Sequence, residues 1–140
     1  MPEDMRDLAG RLHGGAVRLL RMLRRGEEDD SLSAPRLSAL SVIASAGPMS
    51  LAGLAAAEQV KPPTMSRIVE ALVTQGLITR EAKAGDRRSV CIAITAEGRA
   101  LLDAGRARRM RLLVERLSGL ADSERRALAR GVELLERIAR

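Results

Sequence analysis

The chain has 140 residues, with 24 Lys+Arg against 18 Asp+Glu for a net charge of +6, one cysteine, and no Phe, Trp or Tyr. That length suffices for one compact core with extensions. A lone cysteine excludes an intramolecular disulfide and a cysteine-based zinc site, and the absence of aromatics excludes a single-strand binder built on stacking platforms. The positive balance fits nucleic acid or an anionic membrane. All the basic residues but Lys61 and Lys83 are arginines, suited to bidentate contact with phosphate and guanine, although a GC-rich coding sequence also enriches arginine. An all-aliphatic core is hard to fill in a small domain, which favours dimerisation. The first fifteen residues contain acids and no apolar core, unlike a signal peptide, and no run reaches the length of a membrane span. The expected location is cytoplasmic, without a membrane partner.

Leu8, Leu12, Ala16, Leu19 and Leu23 recur at helical spacing with charges between them, so residues 4–25 are predicted to form an amphipathic helix weakened at Gly14-Gly15. The acidic stretch 26–31 follows as a solvated loop. Ser33-Ala34-Pro35 starts the next helix, with Leu37, Leu40, Ile43 and Ala44 inward, and Gly47-Pro48 stops it. Ser50 is placed to cap a short helix carrying Leu51, Leu54 and Ala55, which ends in a turn at Glu58-Gln59-Val60.

Lys61-Pro62-Pro63 opens a further helix, because proline fits a first turn whose backbone donors have no partner. Met65, Ile68, Val69, Leu72 and Val73 form one apolar stripe. Pro63, Thr64, Arg67, Glu70 and Thr74 therefore lie outward with Ser66 on the flank, and Gly76 ends the helix. Residues 77–80 and 90–94 are predicted to be two strands, joined through a turn at Gly85-Asp86-Arg87-Arg88-Ser89. Thr95 is placed to cap a long helix over about 96–118, and Asp122 or Ser123 a last one carrying Leu128, Val132, Leu135 and Ile138. A helix fit for a major groove, followed by a basic hairpin fit for a minor groove, is the layout of a winged-helix DNA reader. The expected fold class is mainly α with a small β-hairpin wing: a winged helix-turn-helix with N- and C-terminal dimerisation helices. Its parts are 1–32 (first dimerisation helix and acidic loop), 33–95 (DNA-binding region) and 96–140 (last dimerisation helices), together one compact domain.

Leu51-Ala52-Gly53-Leu54-Ala55, the run Pro62 to Val69, Leu72, Gly76-Leu77-Ile78, and Asp86-Arg87-Arg88-Ser89-Val90 leading to Ile94-Thr95 and Gly98 together resemble the MarR family of bacterial transcription regulators. The resemblance is strong over about 33–120. It implies a winged-helix homodimer on a pseudo-palindromic operator in double-stranded DNA, usually a repressor, often released by a small anionic or phenolic effector. By family position Arg88 is the wing arginine that enters the minor groove, with Asp86 holding it in an ion pair. A narrow groove's enhanced negative potential would favour that placement. The alternative is a solvated turn arginine, and Arg87 is either a phosphate contact or merely exposed. Lys61 departs from the family's usual Ser or Thr: lysine cannot accept the helix-end N–H bonds, and instead suits a phosphate.

The DNA-contacting candidates are thus Lys61, Pro63, Thr64, Ser66, Arg67, Glu70, Asp86, Arg87 and Arg88. Arg67 suits guanine O6/N7; Thr64 and Ser66 suit bases or phosphates unless they are plain surface hydroxyls; Glu70 accepts from cytosine N4 or simply pairs with Arg67. The resemblance places an effector pocket near the first helix, where His13, Val17 and Leu40 are the candidates, although a lone helical histidine is more often just a surface side chain. Cys91 is predicted to be a small strand residue, with a redox switch as the alternative. One His and one Cys without a phosphate loop supply no nucleophile–base–orienter set, and no metal or cofactor is expected. A helical dimer acting through another protein is the rival from a different class, opposed by the outward Arg67, Arg87 and Arg88.

Overall fold

The computed structural model describes residues 4–25, 32–83 and 86–140, with the side chains of 83 and 86–89 left out of the description. The described elements run α1 (Met5–Arg25), α2 (Ala34–Ala46), α3 (Leu51–Glu58), α4 (Pro62–Thr74), β1 (Ile78–Lys83), β2 (Asp86–Ile94), α5 (Ala96–Ser118) and α6 (Asp122–Ile138). Two compact units share them: residues 27–105, and residues 1–26 with 106–140, the division falling within α5. The predicted acidic loop at 26–31 lies outside the described residues.

In the unit 27–105, Ala39, Leu40 and Ile43 of α2, Leu54 of α3, Met65, Val69 and Leu72 of α4, and Ile92 of β2 are fully buried in one aliphatic core. Each such side chain larger than alanine contributes about 1.5–3 kcal/mol by leaving water. Ala39 was not among the expected inward residues of α2, whereas Leu37 and Ala44 are only partly buried. Ser50 caps α3, its Oγ accepting the Gly53 N–H at 3.0 Å. Gln59 ends that helix in the left-handed region at φ 55.

The strands are longer than expected, and residues 86–89 are strand rather than turn. The antiparallel register is regular from Ile78↔Ile94 to Ala82↔Val90, then shifts so that Lys83 pairs with Asp86. Residues 87–89 are thus an excess on β2, a bulge in that strand. At its other end β2 gains a partner that the chain pattern does not show. Met49 bridges to Ile92, each N–H donating to the other's carbonyl at 3.0 and 2.7 Å.

Thr95 locks the hairpin to α4. Its hydroxyl donates to the Gly76 carbonyl at 2.7 Å and accepts the Gly98 N–H at 3.1 Å, while its own N–H donates to the Leu77 carbonyl at 3.0 Å. The expected cap of α5 is therefore also the link between residues nineteen apart.

In the other unit, α1 and α6 contain no buried residue. Met5, Leu8, Leu12, Val17, Leu19, Leu20, Met110, Val114, Leu128, Val132, Leu134, Leu135 and Ile138 are all exposed. The start of α6 differs from expectation: Ala121 is the N-cap, and the Glu124 carboxylate accepts the Ala121 N–H at 2.8 Å. Asp122 instead pairs with Arg125 one turn on, inside the helix. No described helix is long and apolar enough to cross a membrane.

Candidate nucleic-acid interface

The local sequence of α4 fixes which side it shows. Met65, Val69 and Leu72 are fully buried, so the helix can neither rotate nor withdraw without opening the core. Its opposite side carries Pro63, Thr64, Arg67, Glu70 and Thr74, all exposed, with Ser66 half-buried on the flank. Pro63, Arg67, Glu70 and Thr74 follow one another at three- or four-residue spacing, a single ridge along the helix. Thr74 is the least available of these, because its hydroxyl donates to the Glu70 carbonyl at 2.9 Å.

At the helix start, Lys61 holds extended backbone dihedrals (φ −68, ψ 144), as a residue before proline must, and its side chain makes no cap. Pro62 and Pro63 remove two of the orphan N–H groups that a cap would serve. The exposed Lys61 ammonium is therefore left for other work. Among the described residues no ion pair joins Arg67 to Glu70. The five donor N–H groups of Arg67 and the acceptor oxygens of Glu70 both face outward, a pattern able to distinguish base edges.

Of the expected wing residues, the backbone alone is described. Asp86, Arg87 and Arg88 stand on β2 at and beside the register shift. Position 88 lies four residues along β2 from the buried anchor Ile92. The proposed Asp86–Arg88 ion pair falls outside the described residues. Cys91 is a half-buried free thiol opposite Glu81 on the hairpin. His13 and Val17 are exposed on α1, whereas Leu40 has no accessible surface at all and sits in the aliphatic core. A ligand would reach Leu40 only if core neighbours moved.

Two helices packed on the core and leading to a third with an outward face, followed by a two-stranded hairpin and a return helix, define a winged helix-turn-helix protein. The MarR family model matches residues 32–90, the span from the start of α2 into β2. An uncharacterized HTH-type transcriptional regulator, ML2140, from Mycobacterium leprae is 35% identical over 128 residues, covering 91% of this chain and 90% of the relative. The crystal structure of a transcriptional regulator protein from Pseudomonas aeruginosa PA01 superposes with a TM-score of 0.86 at 31% identity, covering 99% of each chain. Bordetella bronchiseptica BpsR shares the fold alone, at 23% identity and a TM-score of 0.61 over 99% of this chain and 98% of that one. The chain belongs to the MarR family of DNA-binding transcription regulators.

Proposed function

We propose that this regulator is a homodimer that reads a pseudo-palindromic operator, acts as a repressor, and is relieved by a small molecule. The observation that carries the reading is α4, whose apolar side is locked in the core while Lys61, Pro63, Thr64, Ser66, Arg67 and Glu70 stand on its accessible sides. In a symmetric dimer each α4 would enter a major groove, the two about one helical turn (~34 Å) apart, with Asp86, Arg87 and Arg88 of each wing at a flanking minor groove. Dimerisation is supported by the unit 1–26 with 106–140. Its exposed leucines, valines, isoleucine and methionines would be covered by the same helices of a second copy. On this reading residues 1–32 and 96–140 serve as dimerisation segments and 33–95 as the reader.

Relief by a small molecule is supported by BpsR, whose DNA binding is regulated by 6-hydroxynicotinic acid. For this chain the proposed effector is a small anionic or phenolic compound, with His13 and Val17 on the exposed surface of α1 as the residues to meet it; Leu40, closed in the aliphatic core, is not available to it as it stands. Such a compound shifts the equilibrium only if it binds one half-site spacing more tightly than the other. Operation in the cytoplasm follows from the same reading.

The test is a titration of labelled DNA from upstream of the protein's own gene, with scrambled DNA as competitor. Arg67→Ala should weaken operator binding and also relax discrimination at one base position, by about 1–3 kcal/mol. Equal weakening on every sequence would reassign Arg67 to a phosphate. Arg88→Ala should weaken operator binding by a similar ~1–3 kcal/mol, most at sites with A·T-rich flanks. Undiminished affinity would remove the wing from the interface.

A further inference from the structure

The positive charge of this protein is not where its reading helix is. The unit made of residues 1–26 and 106–140 holds sixteen arginines against eight acidic residues. The unit 27–105 holds eight basic residues against ten acidic ones, four of the ten being Glu27-Glu28-Asp29-Asp30. The net +6 is thus carried entirely by the helical unit. Helix α1 shows how it is arranged. Arg11, Arg18 and Arg25 recur at seven-residue intervals, with Arg21 between the last two, so that four guanidinium groups lie along about 21 Å of one side of the helix. All four are exposed. Among the described residues no carboxylate pairs with Arg18, Arg21 or Arg25. Met5, Leu12, Leu19 and Leu23 lie about a third of a turn round the helix from this stripe, with Leu8 nearer to Arg11 and Val17 beside Arg21, so a dimer seated on the leucine side leaves the arginines at its edge and outward.

We propose that the arginine face of α1 is a second, sequence-blind contact surface for the phosphate backbone of duplex DNA, separate from the α4 ridge. The proposal rests on the DNA-binding dimer described above. A duplex strand carries a phosphate every 3.4 Å or so of axis, roughly six over the length of this stripe, enough to engage all four side chains. Arginine engages phosphate oxygens in a bidentate fork, which lysine does not. A lipid surface holds an amphipathic helix firmly when the apolar side inserts as well, and the proposed dimer already uses that side of α1. The two surfaces then divide the labour. The α4 ridge supplies discrimination, and α1 supplies the salt-dependent hold on any duplex, including a segment other than the one being read.

The experiment measures binding of the full-length protein to operator and to scrambled duplex across a range of salt. The variants are Arg11→Gln/Arg18→Gln/Arg21→Gln/Arg25→Gln and the matching four-lysine change, with helicity and mass confirming a folded dimer. The glutamine variant should bind scrambled duplex at least tenfold more weakly at low salt. Its slope of log K against log salt should be shallower by up to about four for each protomer that engages DNA. Its operator-to-scrambled ratio should be undiminished, and the lysine variant should keep most of the slope. An unchanged slope in the glutamine variant overturns the proposal. So does arginine-dependent capture by vesicles of anionic phospholipid with no change on DNA. If instead the unmodified protein shows no preference for operator over any duplex, the reader assignment fails while the slope still decides the fate of the α1 face.

Discussion

Replacing Gly98 by alanine should destabilise the protein by about 3 kcal/mol or more, the upper end of what overpacking costs. A Cβ added at Gly98 would clash with the Leu77 carbonyl oxygen and lie 2.9 Å from Ile94 Cγ1. The first of these atoms is backbone. That same oxygen accepts the Thr95 N–H at 3.0 Å, in the junction where Thr95 Oγ1 also bonds Gly76. It cannot retreat without breaking the link between the end of α4 and the start of α5. The identical change at Gly10 provides the control. Nothing lies within 4 Å of a Cβ there, in the second turn of α1, so Gly10→Ala should stabilise by about 0.5–1 kcal/mol through helix propensity. Denaturant titrations at one fixed protein concentration read both, and a Gly98→Ala protein as stable as the parent would show that the junction yields.

Leu72→Ala should cost about 2–5 kcal/mol, the range for emptying a leucine-sized space in a closed core. Leu72 is fully buried and sits on the inner side of α4 with Met65 and Val69. The loss should reach DNA binding through the population of folded reader, because Arg67 and Glu70 on the outer side keep their positions whenever α4 is seated. Operator affinity corrected for the folded fraction should therefore stay close to the parent's, and discrimination between bases should be intact. A variant that is fully folded yet loses base discrimination would mean that α4 tilts in its seat, and that the core tunes the reader as well as holding it.

These two sites also separate what was legible along the chain from what was not. The apolar stripe Met65–Val73 and the prolines after Lys61 located α4 and its outward residues, because a helix side is a local, periodic property. Ser50 and Thr95 marked helix starts for the same reason: a cap is settled within three residues. The start of α6 was misplaced by one or two positions because Ala121, which has no capping oxygen, holds the N-cap while Glu124 reaches back to it. The turn expected at Gly85–Ser89 gave way to strand from Asp86 onward. Turn-forming residues at a hairpin tip do not reveal a shift of register, which depends on the facing strand.

What the sequence determined by itself was the order of helices and strands, the outward set on α4, the aliphatic character of the core, and a membership in the MarR family that the comparisons bear out. Each of these follows from neighbours a few residues apart, or from residue types alone. Only the tertiary structure decided that Met49 pairs with Ile92, that Thr95 ties Gly76 to α5, and that Gly98 must lack a side chain. It also divided the net charge between a basic helical unit and a slightly acidic reader. Those features join residues far apart in the chain, and closing such loops depends on how the whole core packs, which no local pattern carries.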